Sequence, residues 1–281
     1  MTGSGWSPVS GLSPKSETDT SPCMSFETAA RPIVFLHLPK TGGQTIHHAI
    51  AGIVGAENVS PIRLNAQTEG GPTFPPGFRF HSGHLDWVDL DTVPGGPFVF
   101  SVLRDPMERL GSFYFFMRAK ALDVLQREGD AALEVEQRRI LGSPDAFFFP
   151  VDPELARKVG RRWANLATTY LATRRLQGRA KISRLTRAQV LDRAIANTER
   201  LDGLYRFGDF GPLEDDILTL TGTRPVITDR RANPGPLEAG QSRWKALSAA
   251  FETDKARHRI ADFVAEDMEL MDRIRFRSLT A

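Results

Sequence analysis

The run His37-Leu38-Pro39-Lys40-Thr41-Gly42-Gly43-Gln44-Thr45 gathers a lysine, two glycines and two hydroxyl side chains in a few residues. That mixture suits an oxyanion. Where such a turn leads from a strand into a helix, the first amides of the helix lack internal partners and its dipole adds positive potential. Glycines let the backbone come close to a ligand's oxygens, and Lys40 adds a formal charge. The order differs from the nucleoside-triphosphate loop, Gly-x-x-x-x-Gly-Lys-Ser/Thr, because Lys40 precedes its glycine pair. A second cationic turn reads Arg104-Asp105-Pro106, with Ser112 two helical turns further on. Alone, Arg104 would pair with Asp105 or Glu108. Two cationic turns at matching edges of one sheet suit instead a ligand with two separated phosphates, as in an adenosine phosphorylated at both 3′ and 5′ positions. A third phrase, Phe80-His81-Ser82-Gly83-His84-Leu85-Asp86-Trp87, carries two histidines and a carboxylate. His81, His84 and Asp86 are readable as metal ligands, but no further ligand group stands near them. His84 is equally readable as a hydrogen-bonded loop histidine.

The elements that must position these groups are legible from periodicity. Ile33-Val34-Phe35-Leu36-His37-Leu38 reads as a buried strand, and Ile46, Ala49, Ile50 and Ile53 mark one face of a helix that Gly55 ends. Phe98-Val99-Phe100-Ser101-Val102-Leu103 repeats the pattern. Pro106 opens its helix, and Leu110, Phe113, Tyr114 and Met117 line one face. Residues 56–97 are rich in glycine and proline and give no clear secondary structure. Leu155, Val159, Trp163, Leu166 and Tyr170 predict one long amphipathic helix, and Thr186 with Gln189 a capping box. Leu204 to Phe207 read as a strand, Leu213 to Leu220 as a helix stopped by Gly222, and Ile260, Phe263, Val264, Met271 and Ile274 as one closing helix. Strands alternating with helices predict a parallel sheet covered on both faces, with ligands beyond the carboxyl ends of its strands.

Composition sets outer limits. At 281 residues, with 41% hydrophobic and 25% charged residues, the chain suits one sizeable domain, and a formal net charge of +2 does not demand nucleic acid. Its pI near 8.8 suits an anion held in a local basic site. Residues 1–30 are rich in Ser, Thr, Pro and Gly and read as a flexible tail before a domain spanning 31–281. The lone Cys23 excludes an internal disulfide framework and a cysteine zinc site, which favours a reducing, cytoplasmic setting. No run approaches a membrane span. Between residues 155 and 191 the chain carries Arg157, Lys158, Arg161, Arg162, Arg174, Arg175, Arg179 and Lys181 with no Asp or Glu, which reads as a solvated basic face or as a seat for an anionic acceptor. Trp87 and Tyr114 are candidates for stacking on a sugar or for core packing.

Phe35-Leu36-His37-Leu38-Pro39-Lys40-Thr41-Gly42-Gly43 resembles the 5′-phosphosulfate loop of the heparan sulfate 2-O- and 6-O-sulfotransferases and their bacterial relatives. Ser101-Val102-Leu103-Arg104-Asp105-Pro106-Met107-Glu108-Arg109-Leu110-Gly111-Ser112-Phe113-Tyr114 resembles the 3′-phosphate motif of that family, and Gly83-His84 the segment bearing its histidine base. The resemblance covers residues 33–118 in the family's order and is loose after about 150. His81 departs from the 2-O pattern, in which one glycine separates two histidines. The resemblance implies a P-loop-like three-layer α/β domain with a central, mainly parallel sheet and a helix-rich C-terminal half. It implies transfer of a sulfuryl group from 3′-phosphoadenosine 5′-phosphosulfate to a hydroxyl, without metal, leaving adenosine 3′,5′-bisphosphate. Lys40, Thr41, Gly42, Gly43, Gln44 and Thr45 would hold the 5′-phosphosulfate, Arg104 and Ser112 the 3′-phosphate. His84 would be the base, and Lys40 would stabilise the departing phosphate. A saccharide acceptor is favoured; tyrosine, lipid or a small natural product are the others. A nucleotide kinase or ATPase, which would need magnesium, and a non-catalytic nucleotide- or glycan-binding module are the competing readings.

Overall fold

The computed structural model describes residues 31–227 and 240–278. Its centre is a four-stranded, all-parallel sheet of β1 (Ile33–Leu36), β2 (Phe80–Gly83), β3 (Phe98–Leu103) and β4 (Gly203–Arg206), in the order β2-β1-β3-β4. Register pairs Ile33 with both Phe80 and Phe98, and Leu103 with Arg206. Eleven α-helices surround it among the described residues: α1 (Gly43–Val54), α2 (Pro106–Glu128), α3 (Val135–Leu141), α4 (Pro144–Phe148), α5 (Pro153–Trp163), α6 (Leu166–Thr173), α7 (Arg187–Thr198), α8 (Gly211–Thr221), α9 (Arg243–Ala250), α10 (Asp254–Asp262) and α11 (Ala265–Arg273). The chain is thus a helix-rich α/β protein, and none of the described helices is long and apolar enough to cross a membrane. Cys23 and the expected tail lie outside the described residues.

Alternation along the strands sends side chains to two apolar layers. Ile33, Phe35, Phe100 and Val102 pack with Ile46 and Ile50 of α1 and with Leu213 and Ile217 of α8. Val34, Leu36, Val99 and Leu103 pack with Tyr170 and Leu171 of α6, Leu191 of α7 and Leu270 of α11. A third cluster joins Leu110, Phe113 and Tyr114 of α2 to α4, α5, α9 and α10. All four strands are buried at their centres, which accounts for the apolar run of β1 and the largely apolar run of β3, whereas β2 (Phe-His-Ser-Gly) is buried without one.

Three segments differ from the sequence reading. Phe80–Gly83, unassigned there, is the edge strand β2. The single helix expected through Tyr170 is broken into α5 and α6 at Asn165, which adopts left-handed backbone (φ 47°). The single closing helix is likewise α10 and α11, interrupted at Phe263 and Val264. Both breaks meet at one joint: the Asn165 N–H donates to the Phe263 carbonyl (2.8 Å), and its side-chain oxygen accepts from the N–H groups of Glu266 (2.9 Å) and Asp267 (3.3 Å). Asn165 therefore caps α11, and apolar periodicity running through it does not register the turn.

Candidate anion-binding site

Strand order places the site. From β1 the chain leaves through α1 toward β2, whereas β3 leaves through α2 toward β4 on the other side. The carboxyl ends of β1 and β3 therefore flank the point where the connections diverge, the position at which open parallel sheets leave a crevice. The Lys40 turn and Arg104 stand at those two ends.

In the first turn, Lys40 and Gly42 both take positive φ (72° and 82°). For a lysine that conformation costs on the order of 1 kcal/mol. The Thr41 hydroxyl is buried and donates to the Leu38 carbonyl (2.9 Å), so it closes the turn. α1 then starts with no side-chain cap and no acidic residue in its first turn, which leaves its dipole uncompensated from within. Gln44 is exposed there, and Thr45 half-buried. The Lys40 ammonium rests 3.9 Å from the centre of the Phe116 ring on α2, beside Lys120 at 4.7 Å from the same ring. Burial, with the charges of Arg104, Lys120 and Arg243, lowers the Lys40 pKa to about 8.

Arg104 ties the two turns together: its Nη1 approaches the Lys40 carbonyl at 3.4 Å, and its guanidinium lies 4.5 Å from the centre of the Phe207 ring. It does meet Glu108, but at 3.4 Å. The Glu108 carboxylate also accepts from the Ser242 hydroxyl and from the N–H groups of Arg243 (3.0 Å) and Trp244 (3.2 Å), so it is shared with the start of α9. Asp105 caps α2 by accepting from the Glu108 N–H (2.8 Å). Ser112 is half-buried on α2, two turns beyond.

His84 follows β2 at the same edge. Its N–H donates to the Arg63 carbonyl (2.9 Å), and its Nδ1 stands 2.9 Å from the His37 carbonyl. A carbonyl only accepts, so Nδ1 carries the proton and Nε2 keeps its lone pair. Burial lowers the His84 pKa; the bond to His37 opposes this, while Arg63 and Lys40 add to it, so the ring is largely neutral at pH 7. The His37 ring, itself buried, stacks on His84 with centroids 4.3 Å apart. Gly83 is fixed by packing, since a Cβ there would overlap the Arg63 backbone. Arg63 Nη1 donates to His47 Nε2 (2.5 Å), leaving His47 Nδ1 to donate to the Ser82 hydroxyl (2.8 Å).

His81 stands apart from this group. It is buried edge-on against Phe74 and Phe78, with no partner for Nδ1 among the described residues. Asp86 is held by Arg175 (3.0 Å) and the Leu176 N–H (3.0 Å). No group of three or more His, Cys, Asp or Glu side chains converges to hold a metal among the described residues. Trp87 and Tyr114 are buried in the core.

Sequence reasoning missed His37, Arg63, Lys120 and Arg243. The first lay inside the motif and was visible as a second imidazole beside Lys40; Lys120 lies further along α2, and Arg63 and Arg243 reach the edge from distant segments, so no local pattern marks these three. No family model matches the chain, and no curated protein matches it.

Proposed function

We propose that this chain is a sulfotransferase that moves a sulfuryl group from 3′-phosphoadenosine 5′-phosphosulfate onto an acceptor hydroxyl, a saccharide hydroxyl by preference, on a P-loop-like α/β domain. The observation that supports this reading is the meeting of Lys40, Arg104 and a neutral His84 at one edge of the sheet, where the Arg104 guanidinium bonds the Lys40 carbonyl. The residues fit a doubly anionic donor: α1 opens uncapped and without acid, and Arg104, Lys120 and Arg243 stand close enough to the Lys40 ammonium to lower its pKa.

The donor supplies a sulfuryl group activated by a phosphate leaving group. The Lys40–Thr45 turn holds its 5′ end through backbone amides and the Lys40 ammonium, which stays protonated at pH 7 with its pKa about 8. Arg104 and Ser112 hold the 3′-phosphate. His84 Nε2 takes the proton of the acceptor hydroxyl as that oxygen bonds to sulfur and the sulfur–phosphate oxygen bond breaks. The Nδ1–H bond to the His37 carbonyl keeps the ring in the tautomer that can do so. Lys40 offsets the charge left on the phosphate, a contribution on the order of 3 kcal/mol for one donor in such sites.

Calorimetric titration with adenosine 3′,5′-bisphosphate, followed by incubation with sulfur-labelled donor and a panel of hydroxylated acceptors, tests the reading. Wild type binds the bisphosphate; His84→Ala keeps that binding and loses turnover; Arg104→Ala weakens binding. Absence of binding heat with the intact chain refutes it.

A further inference from the structure

Away from the sheet edge, a cavity of about 440 Å³ opens between α3, α5 and the short turn Arg179–Ile182. None of Lys40, Arg104 and His84 lines it. Five cations do, Arg139, Lys158, Arg161, Arg162 and Arg179, against one lining carboxylate, Glu136.

Their pairing leaves charge over. Arg162 meets Glu136 (3.1 Å), Lys158 meets Glu154 (3.1 Å), and Arg179 meets Glu266 through two bonds (2.6 and 2.8 Å). Arg139 instead donates to two carbonyls, those of Ala146 (3.0 Å) and Phe147, which cancel none of its charge. Arg161 is exposed and has no carboxylate within ion-pair distance among the described residues. Several of these groups are also held in place. Arg162 lies over the Trp163 ring at 4.9 Å, Arg139 is clipped to the end of α4, and Arg179 is fixed by its two bonds. Cations already ordered lose little freedom when an anion arrives. Leu155, Val159 and Trp163 add an apolar strip to the wall. Concavity, surplus charge and an apolar strip together distinguish this place from an evenly solvated basic face, and its volume falls in the range of small-molecule sites.

We propose that this cavity is a second anion site, taking a small organic polyanion whose ring or short chain bears two or more phosphate or sulfate groups. The proposal is independent of the sulfuryl-transfer reading.

Titration calorimetry at low salt, using inositol hexakisphosphate, inositol hexasulfate and tripolyphosphate in turn, tests it on the full chain. The first two distinguish phosphate from sulfate on one ring, and the third carries charge without a ring. Lys158→Ala/Arg161→Ala removes two exposed cations, and unchanged thermal unfolding verifies its fold. This variant is expected to bind the better ring polyanion about tenfold more weakly than wild type, whereas Arg104→Ala leaves that binding in place. Arg161→Glu weakens it further. Equal binding by wild type and the double variant, or loss of all binding on Arg104→Ala alone, overturns the proposal. Tripolyphosphate binding as tightly as either ring compound overturns the role of the apolar strip.

Discussion

Gly43→Ala tests the geometry beneath the candidate site without reference to any ligand. A Cβ built on Gly43 falls inside the His37 imidazole, overlapping Nε2, Cε1 and Cδ2. The ring cannot step aside at no cost, because it is buried between Phe35, at 5.2 Å between centroids, and His84, at 4.3 Å. If the ring stays, the strain is that of an overpacked core, about 1–3 kcal/mol. If it is expelled, two ring contacts worth about 0.5–1.5 kcal/mol each are lost, giving a similar total. Gly52 in the same helix is the control: nothing lies within 4 Å of its added Cβ, so Gly52→Ala gains about 0.5–1 kcal/mol from helix propensity. Urea unfolding then shows opposite shifts in midpoint for two identical substitutions nine residues apart. A cycle with His37→Ala isolates the clash, since truncating the ring makes room for the methyl group and the double variant loses less than the sum of the singles. NMR titration of His84 reports whether its ring is disturbed along with His37. A Gly43→Ala midpoint at or above wild type would refute the packing argument.

Anion binding at the sheet edge is expected to weaken as pH rises through about 8, because the Lys40 ammonium that attracts the anion is lost there. The sign follows from burial and neighbouring cations lowering its pKa, and a bound anion reverses it, so calorimetry in buffers of different ionisation heat at pH 8 records proton uptake on binding; Lys40→Met removes the dependence. Asn165→Ala is expected to cost about 2–3 kcal/mol in urea unfolding, from a lost cap on α11 and a left-handed residue without the asparagine preference for it. Asn165→Gly keeps the backbone and recovers part of the loss.

The parallel sheet was legible where sequence signals were local. Phe98–Leu103 is apolar but for Ser101, whose hydroxyl donates to the Leu36 carbonyl (2.8 Å), because both faces are covered, and the Pro106 start, the Thr186 capping box and the Gly222 stop each depend on residues within a turn of one another. β2 was obscured because its four residues include His81, Ser82 and Gly83: long-range contacts place the last two, His47 on Ser82 and Arg63 over Gly83, while His81 packs on Phe74 and Phe78 of the preceding loop. The broken helices were misread for a related reason. Their apolar stripes continue across Asn165 and Val264, while the hydrogen bonds that interrupt them come from the opposite helix pair. At the candidate site, Lys40 and Arg104 were found from their turns, whereas the bond joining them depends on β1 and β3 lying side by side.

That juxtaposition gives the edge its electrostatic character, and a contrast within the molecule shows how this differs from structural pairing. Arg109, one turn along α2 from Arg104, is almost fully buried and stands 3.8 Å from the buried Asp267 carboxylate. Asp267 is oriented in turn by the N–H groups of Ala167 (3.3 Å) and Thr168 (2.8 Å). Here a carboxylate balances part of the cost of withdrawing a guanidinium from water, although burial still lowers the Arg109 pKa and its nitrogens have no hydrogen-bond partner among the described residues. At the edge the balance is absent among the described residues: Lys40 and Lys120 share an aromatic ring and no carboxylate, and Glu108, the acid that reaches Arg104, also serves the start of α9. The Lys40 backbone is strained and its ammonium is made easier to deprotonate, both unfavourable in the free protein. An anion of two or more charges would relieve the cation repulsion and raise the Lys40 pKa together. Such a ligand, rather than a structural ion pair, is what this arrangement of charge favours.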